Sequence, residues 1–408
     1  MSLSRFIFTL GVVLVFGGCT VLKENFGKQE EDTPTLLRKF ESEVELTRAW
    51  SRKIGRSNRR KEVKVVPAVQ GSRVYAASVD GRVTALNSAD GERIWTLDVS
   101  EYYNKKDFEA PGWFADGNDQ EIISGGVSVL GDLVVVATSV GEIVAINEED
   151  GTLKWRVSIG SEAVVPPQLN AELVVVQAID GKVTALKREE GDKKWTYANS
   201  VPSLTMRGTS TPILFENLAM TGYANGHIVV LTLTQGYPVI DLRIAIPEGK
   251  SDLDRIVDVD GKMALVGDKL YAVSYQGNLA GIDLPGQAVA WSHKASSVEG
   301  LAAGFGQLYM VHEDGRISAH DMDDGAETWV VDGLRYRGLN APSTISSYLV
   351  MGDQDGWIHL LAQSDGRFVG RKRLRRFFAK AIRSEIVVDA DRVYVMDTGG
   401  RLTAYDIR

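Results

Sequence analysis

The stretch TALNSADGERIW (Thr84–Trp95) decides the fold, because nearly the same phrase returns three times further along the chain. The later copies are VAINEEDGTLKW (Val144–Trp155), TALKREEGDKKW (Thr184–Trp195) and SAHDMDDGAETW (Ser318–Trp329). A phrase that returns at intervals of about 40 residues is typical of a repeat architecture. The repeat therefore has to be interpreted before any single residue is given a chemical role.

Eight copies of the repeat align on the first glycine of each copy, at Gly81, Gly141, Gly181, Gly226, Gly277, Gly315, Gly356 and Gly400. Each copy contains short β-branched or aromatic runs separated by glycine turns, and glycine supplies the positive φ that tight hairpin turns require. The last run carries tryptophan in most copies, whereas the fourth and seventh copies have Ile240 and Gly370. Units of four strands and roughly 40–45 residues are the blades of a β-propeller.

The two ends of the chain complement each other. The eighth copy stops before its tryptophan strand, and an unmatched strand of that kind, LTRAWSRKIG with Trp50, precedes the first copy. This N-terminal strand is predicted to complete the last blade, which removes the exposed edges of an open array. We therefore predict an all-β, eight-bladed β-propeller over residues 43–408, whose repeat tryptophans pack blade on blade.

The first 18 residues have the pattern of a secretory signal peptide. Arg5 provides a short positive region, Phe6–Phe16 is apolar but too short for an ordinary membrane span, and Gly17–Gly18 precedes Cys19. Small residues before this single cysteine resemble the processing site of bacterial lipoproteins, which implies cleavage before Cys19 and lipidation of Cys19. A plain secretory signal with an incidental cysteine is the alternative. Residues 19–42 are mostly polar and predict a flexible, lipid-anchored tether.

Composition and motifs argue against several functions. The formal net charge of -8 argues against non-specific binding of nucleic acid. The sequence contains no GxxxxGK[ST] and no GxSxG motif, and its five histidines are expected on different blades without metal-site spacing. Asp258 and Asp260 are spaced like the start of a calcium loop, but Lys262 stands where a third oxygen ligand belongs. We predict no catalytic residue, cofactor or metal ligand.

The tryptophan-ended repeat resembles that of the quinone-dependent dehydrogenases, which are also eight-bladed propellers. That resemblance implies a disulfide between adjacent cysteines over the quinone and a calcium ion that holds it. This chain has one cysteine and no convincing acidic cluster. The resemblance thus provides a fold without its active site, and the dehydrogenase remains an alternative function.

Connections that depart from the repeat are where function on a propeller tends to lie. The aromatic segment 101–126 either caps the ring or contacts a partner, and the basic run 371–383 is either a solvated blade edge or a contact for anionic lipid or an acidic partner. Segments 200–212 and 251–262 leave adjacent blades on the same side of the ring and should be neighbours. Together they offer a protein-binding patch made by Leu204, Met206, Arg207, Asp258 and Asp260. The alternative is an internal salt bridge between Arg207 and one of the two aspartates.

The lipoprotein signal, the tether, the eight repeats and the loops SLTMRG and DVDG together are similar to the BamB family, the β-propeller lipoproteins of the bacterial outer-membrane barrel-assembly machinery. The resemblance covers essentially the whole mature chain. It implies that the two loops dock onto a periplasmic POTRA domain of the central assembly protein, BamA. Leu204, Met206 and Arg207 would form one half of this contact, and Asp258 and Asp260 the other. Met206 stands where leucine is expected, an apolar exchange of low cost.

The same resemblance implies a non-catalytic scaffold on the periplasmic face of the outer membrane. Thr20 after the lipidated cysteine, instead of aspartate, favours export to that membrane. The implied partners are a BamA-type protein, other assembly lipoproteins indirectly, and unfolded outer-membrane proteins, which a blade edge could capture. A binder of cell-wall glycan or lipid, acting through the aromatic segment and the basic run, is a further alternative.

Overall fold

The computed structural model describes residues 32–56, 63–103, 122–206, 208–375 and 378–408. The chain divides into a unit of residues 1–34 and a compact unit of residues 35–408, which contains every described strand. The signal peptide and Cys19 lie outside the described residues. Among the described residues, the helical structure is one 3-10 turn, Val99–Tyr102, and no helix has the length and apolar character needed to cross a membrane.

The strands run in chain order through the compact unit. Those of the first half are β1 (Leu46–Lys53), β2 (Ala68–Gln70), β3 (Arg73–Ala77), β4 (Arg82–Asn87), β5 (Arg93–Asp98), β6 (Ile123–Leu130), β7 (Leu133–Thr138), β8 (Glu142–Asn147), β9 (Leu153–Ser158), β10 (Gln168–Leu169), β11 (Leu173–Gln177), β12 (Lys182–Lys187), β13 (Lys193–Ala198), β14 (Ile213–Phe215), β15 (Leu218–Gly222), β16 (His227–Thr232) and β17 (Pro238–Arg243). Those of the second half are β18 (Ala264–Val266), β19 (Lys269–Val273), β20 (Gly277–Asp283), β21 (Ala288–Ala295), β22 (Leu301–Gly304), β23 (Gln307–Val311), β24 (Ile317–Asp321), β25 (Glu327–Val331), β26 (Ser343–Ile345), β27 (Tyr348–Gly352), β28 (Trp357–Ala362), β29 (Phe368–Arg373), β30 (Val387–Asp389), β31 (Arg392–Asp397) and β32 (Arg401–Ile407).

These strands form eight antiparallel sheets of four strands each, which confirms the eight-bladed β-propeller. Blades 1 to 7 take consecutive strands, from β2–β5 in blade 1 to β26–β29 in blade 7. Blade 8 has the order β30-β31-β32-β1, so that the N-terminal strand is its outer strand. β1 pairs with β32 from Leu46 opposite Ile407 to Lys53 opposite Arg401. The predicted closure of the ring by the strand around Trp50 is confirmed.

The repeat tryptophans fasten each blade to the next. Each indole N–H donates to a backbone carbonyl oxygen of the following blade across 2.8–3.1 Å, in the pairs Trp50–Ser88, Trp95–Glu148, Trp155–Arg188, Trp195–Leu233, Trp291–Met322 and Trp329–Gln363. The ring packs on the second glycine of the next copy: a Cβ added at Gly151 would lie 2.6 Å from the Trp95 ring. Blade-on-blade packing of the tryptophans is confirmed.

The structure explains why the seventh copy has Gly370 at the tryptophan position. The backbone N–H groups of Glu43 and Val44 donate to the carbonyl oxygen of Val369 across 2.8 and 3.0 Å, just before the chain enters β1. A Cβ added at Gly370 would lie 2.8 Å from the carbonyl oxygen of Val44. A side chain at this position would therefore obstruct the path by which the N-terminal strand reaches blade 8.

Residues 35–44, here called the strap, lie against blades 6 and 7. Leu37 packs on the apolar cluster of these blades, and the Phe40 ring lies 5.8 Å from the Phe368 ring. The Arg371 guanidinium is 4.9 Å from the Phe40 ring and donates to the carbonyl oxygen of Arg38 across 2.9 Å. The compact unit thus begins at Thr35, ahead of the boundary at residue 43 expected from the sequence, because two isolated apolar side chains anchor the segment.

Candidate functional site

The two connections singled out in the sequence emerge on one face of the ring. One joins β13 of blade 3 to β14 of blade 4, and the other joins β17 of blade 4 to β18 of blade 5. The Asn225 side-chain amide, in the turn between β15 and β16, donates to the carbonyl oxygen of Ser200 across 3.1 Å. The N–H of Val259 donates to the carbonyl oxygen of Tyr223 in the same turn across 3.1 Å. A single turn of blade 4 therefore contacts both connections.

The side chain of Asp258 joins these connections directly. Its Oδ2 accepts the backbone N–H of Met206 across 2.6 Å, and the Asp258 side chain is 1% exposed. The backbone N–H of Gly208 donates to Asp260, and a Cβ added at Gly208 would lie 2.4 Å from Oδ2 of Asp260. Asp258 and Asp260 thus accept from the backbone N–H groups of Met206 and Gly208. The acceptors and the donors have the same spacing of two residues along their segments. The two segments are neighbours, as expected from the order of the blades.

These hydrogen bonds hold the backbone of a segment whose apolar side chains are exposed. Leu204 is 40% exposed and Met206 is 43% exposed. Arg207, the cationic residue of the predicted patch, lies outside the described residues. The residues predicted from the sequence to contact a partner, Leu204, Met206, Arg207, Asp258 and Asp260, are called the docking surface below.

The carboxyl groups of Asp258 and Asp260 are shielded from solvent. Burial raises the pKa of both carboxyl groups above the ordinary value, and the neighbouring charge of Asp258 raises that of Asp260 further. Lys64, which pairs with Glu299 across 2.7 Å, has the opposite effect on Asp260. Among the described residues, Oδ1 of each aspartate is buried without a hydrogen-bond partner. The pair therefore has acceptor capacity that a cationic group would satisfy.

Further exposed apolar residues lie in the same two connections, and sequence reasoning did not single them out. Ile246 and Leu253 are 62% and 64% exposed, and Val201 is 37% exposed. Exposed apolar side chains that recur in one region mark interaction sites more often than isolated ones do. The sequence could not predict that these side chains are exposed, because each is a single apolar residue in a segment without regular structure.

The aromatic segment and the basic run are described only in part, since residues 104–121, Arg376 and Phe377 lie outside the described residues. The Tyr103 hydroxyl donates to Glu142 across 2.8 Å. Arg375 pairs with the buried Asp397 across 2.9 Å, and the Arg373 guanidinium lies 5.4 Å from the Trp357 ring. Arg371, Arg373 and Arg375 of the basic run therefore make internal contacts, and Arg373 gives Trp357 a packing partner.

Known proteins resemble this chain over most of its length. A family model described as outer membrane protein assembly factor BamB matches residues 47–109 and 107–331. The outer membrane protein assembly factor BamB of Pseudomonas aeruginosa is 39% identical over 399 residues, which cover 98% of each chain. The crystal structure of BamB from Moraxella catarrhalis has a TM-score of 0.76 at 25% identity and covers 89% of this chain and 100% of that one.

A second solved structure shares the fold alone. The quinohemoprotein alcohol dehydrogenase ADHIIG of Pseudomonas putida has a TM-score of 0.68 at 13% identity, with 90% of this chain and 76% of that chain covered. Its likeness extends to the propeller and carries no information on activity. Identity at the level of the P. aeruginosa relative, over nearly the full length, does identify a family. The chain belongs to the BamB family of outer membrane protein assembly factors.

Proposed function

We propose that this chain is a non-catalytic scaffold of outer-membrane protein assembly, which binds the periplasmic POTRA domains of a BamA-type protein through the docking surface. The observation that carries the proposal is the bond from the Met206 N–H to Asp258, at 2.6 Å. It fixes the segment that presents Leu204 and Met206 to solvent. Preordered apolar anchors beside charged groups suit protein recognition, since little conformational entropy is lost on binding.

The two halves of the docking surface have complementary tasks in this proposal. The apolar side chains would be buried against the partner, and Arg207 would supply the positive charge that orients it. Asp258 and Asp260 would act mainly by accepting from the backbone N–H groups of Met206 and Gly208, the residues before and after Arg207. The aspartates are then positioning residues, and the exposed residues form the contact.

We further propose that the chain is attached to the periplasmic face of the outer membrane through lipid on Cys19. Several acyl chains on one cysteine make a firm anchor. Residues from Thr35 onward belong to the compact unit, so the proposed tether comprises residues 19–34. Other assembly lipoproteins would be reached indirectly through the BamA-type protein. Unfolded outer-membrane proteins would meet the exposed blade edges or the docking surface.

The test is calorimetric titration of the soluble chain, from residue 20 onward, with the POTRA domains of the same organism's BamA-type protein. Wild type is compared with Arg207→Glu and with Lys193→Glu, a matched charge reversal at an exposed position of β13. We expect Arg207→Glu to weaken binding at least tenfold, by about 1.4 kcal/mol or more, and Lys193→Glu to bind like wild type. Equal binding by wild type and Arg207→Glu would move the site elsewhere, and no binding by wild type would reject the proposed partner.

A further inference from the structure

Two histidines that the sequence analysis expected on different blades lie together, and that expectation was wrong for them. His312 follows β23 and His320 lies on β24, both in blade 6, and Glu327 begins β25 of the same blade. The register places His320 directly opposite Glu327. One ligand atom from each of the three side chains lies within 4.8 Å of the other two.

The two imidazoles meet at the hydroxyl group of Ser318. Nε2 of His312 lies 2.7 Å from Oγ of Ser318, and Nε2 of His320 lies 2.9 Å from the same atom. A hydroxyl carries one proton and can donate to only one of the two nitrogens. The hydroxyl oxygen must then accept from the other ring, so both Nε2 atoms lie close to one oxygen. A carboxylate oxygen of Glu327 lies within 4.8 Å of a ring nitrogen of each histidine.

The surroundings of His320 set which of its nitrogens is free to bind a metal. Its Nδ1 lies 3.1 Å from the carbonyl oxygen of Gly325, which can only accept, so Nδ1 carries the proton. The lone pair of the neutral ring is then on Nε2, which faces Ser318. A backbone carbonyl behind the distal nitrogen is the usual support of a metal-binding histidine.

The charge state of the pair also suits a metal. Burial lowers the pKa of both His312 and His320, because it disfavours a positive charge on either ring. Arg316 faces His312, but its guanidinium is engaged by Asp314 across 2.9 Å. His293 of blade 5 also faces His320, and its Nε2 lies 2.7 Å from the carbonyl oxygen of Asp324. Neutral imidazole and carboxylate are two of the ligand types that bind zinc in proteins.

We propose that His312, His320 and Glu327 bind a zinc ion through the two Nε2 atoms and one carboxylate oxygen. Two histidines and one carboxylate leave the fourth tetrahedral position open to water or to a ligand from a partner. The ion would tie together the three strands β23, β24 and β25 near the outer edge of blade 6.

The adjustment that zinc requires is small. Bonds of 2.0–2.2 Å in a tetrahedral site place the ligand atoms roughly 3.3 Å apart, against the limit of 4.8 Å found here. Glu327 is exposed and His312 is only partly buried, so both side chains can move towards the more rigid His320. The Ser318 hydroxyl leaves its place between the two nitrogens when the ion enters.

The test is a zinc titration of the tag-free chain from residue 20 onward, after treatment with a chelator, in competition with a chromophoric zinc indicator. We expect one zinc ion per chain. His320→Gln should weaken binding at least about 100-fold, since even changes behind a ligand cost 10–100-fold. Ser318→Ala should bind at least as tightly as wild type, because serine is a bridge and not a ligand. His227→Gln, in which the lost imidazole contacts Asp241 and Arg243, is the control and should retain binding.

A second readout keeps the proposal testable if His320→Gln folds poorly. Zinc should raise the thermal midpoint of wild type, whereas it should leave that of the less buried variants His312→Gln and Glu327→Gln nearly unchanged. Calcium should not compete, because it binds oxygen ligands. Absence of zinc binding by wild type, or equal losses in His227→Gln and His312→Gln, would overturn the assignment and leave a hydrogen-bond chain through Ser318.

Discussion

The backbone N–H of Met206 donates to Oδ2 of Asp258 across 2.6 Å and so joins the connection between blades 3 and 4 to the connection between blades 4 and 5. The acceptor is buried and the side chain of the donor residue is exposed. The bond therefore attaches the exposed segment around Met206 to a buried side chain of the propeller. The sequence did not distinguish residues that position the segment from residues that contact a partner. This bond shows that Asp258 can hold the segment in place without touching a partner.

The first prediction distinguishes geometry from charge at Asp258. Asp258→Asn keeps an oxygen that accepts the Met206 N–H, whereas Asp258→Ala leaves this partly buried N–H without its partner, at a cost of about 1–3 kcal/mol. In calorimetric titration with POTRA domains, we expect Asp258→Ala to bind at least tenfold more weakly and Asp258→Asn to bind nearly like wild type. Equal losses in both variants would show that the charge itself contacts the partner.

The second prediction concerns Gly370, which occupies the tryptophan position in the seventh copy of the repeat. Gly370→Ala would place a Cβ 2.8 Å from the carbonyl oxygen of Val44. We expect a loss of about 1–3 kcal/mol in the free energy of unfolding, measured with urea, because the N-terminal segment must shift. Gly370→Trp, which restores the repeat, should be more destabilising still. A stabilising effect of tryptophan would contradict the role assigned to this glycine.

The third prediction addresses the fastening of one blade to the next. Trp155→Phe removes the indole N–H that donates to the carbonyl oxygen of Arg188 across 2.9 Å and should cost about 1 kcal/mol. Trp155→Ala also removes the ring from Gly191 and should cost about 3–5 kcal/mol. Urea unfolding of both variants provides the measurement. Similar losses in the two would mean that the hydrogen bond, and not the ring, dominates the blade contact.

The fourth prediction tests where the compact unit begins. A chain that starts at Thr35 should have the same thermal midpoint as one that starts at residue 20. Removal of residues 35–42 should lower the free energy of unfolding by about 1–3 kcal/mol, because Leu37 and Phe40 are half-buried. Phe40→Ala in the longer chain should reproduce part of this loss. If all these chains unfold at the same midpoint, the strap adds nothing to stability.

The sequence predicted the features that depend on repetition. Turn glycines and tryptophans recur at fixed positions, so eight blades and a closing strand around Trp50 could be predicted from the sequence alone. The proximity of the two docking connections followed from the order of the blades alone. The strap was missed because Leu37 and Phe40 are isolated apolar residues in a polar segment without a period. The cluster around Ser318 was missed because it depends on the register of blade 6, which brings His320 opposite Glu327.

The fifth prediction concerns stability in acid. His359 is fully buried: its Nε2 lies 3.1 Å from Oδ2 of Asp353, and its Nδ1 accepts from Arg371 across 3.2 Å. An acceptor at Nδ1 requires the neutral ring, and burial lowers the pKa of His359. Below the ordinary histidine pKa of about 6.5 the unfolded chain therefore binds more protons than the folded one. Stability that is fully present above this pH should be lost as the pH falls through it.

His359→Gln removes this titration and keeps one donor for Asp353 and one acceptor for Arg371. In urea unfolding at pH 7.5, 6.5 and 5.5, the free energy of unfolding of wild type should fall relative to that of the variant as the pH decreases. The comparison with the variant isolates His359 from Asp258 and Asp260, whose raised pKa values act in the opposite direction in both chains. The variant keeps the titrations of His312 and His320, whose pKa values are lowered as well, so they cancel from the difference between the two chains. Parallel pH profiles for the two chains would mean that His359 accepts a proton inside the folded blade, which the bond from Arg371 to its Nδ1 opposes.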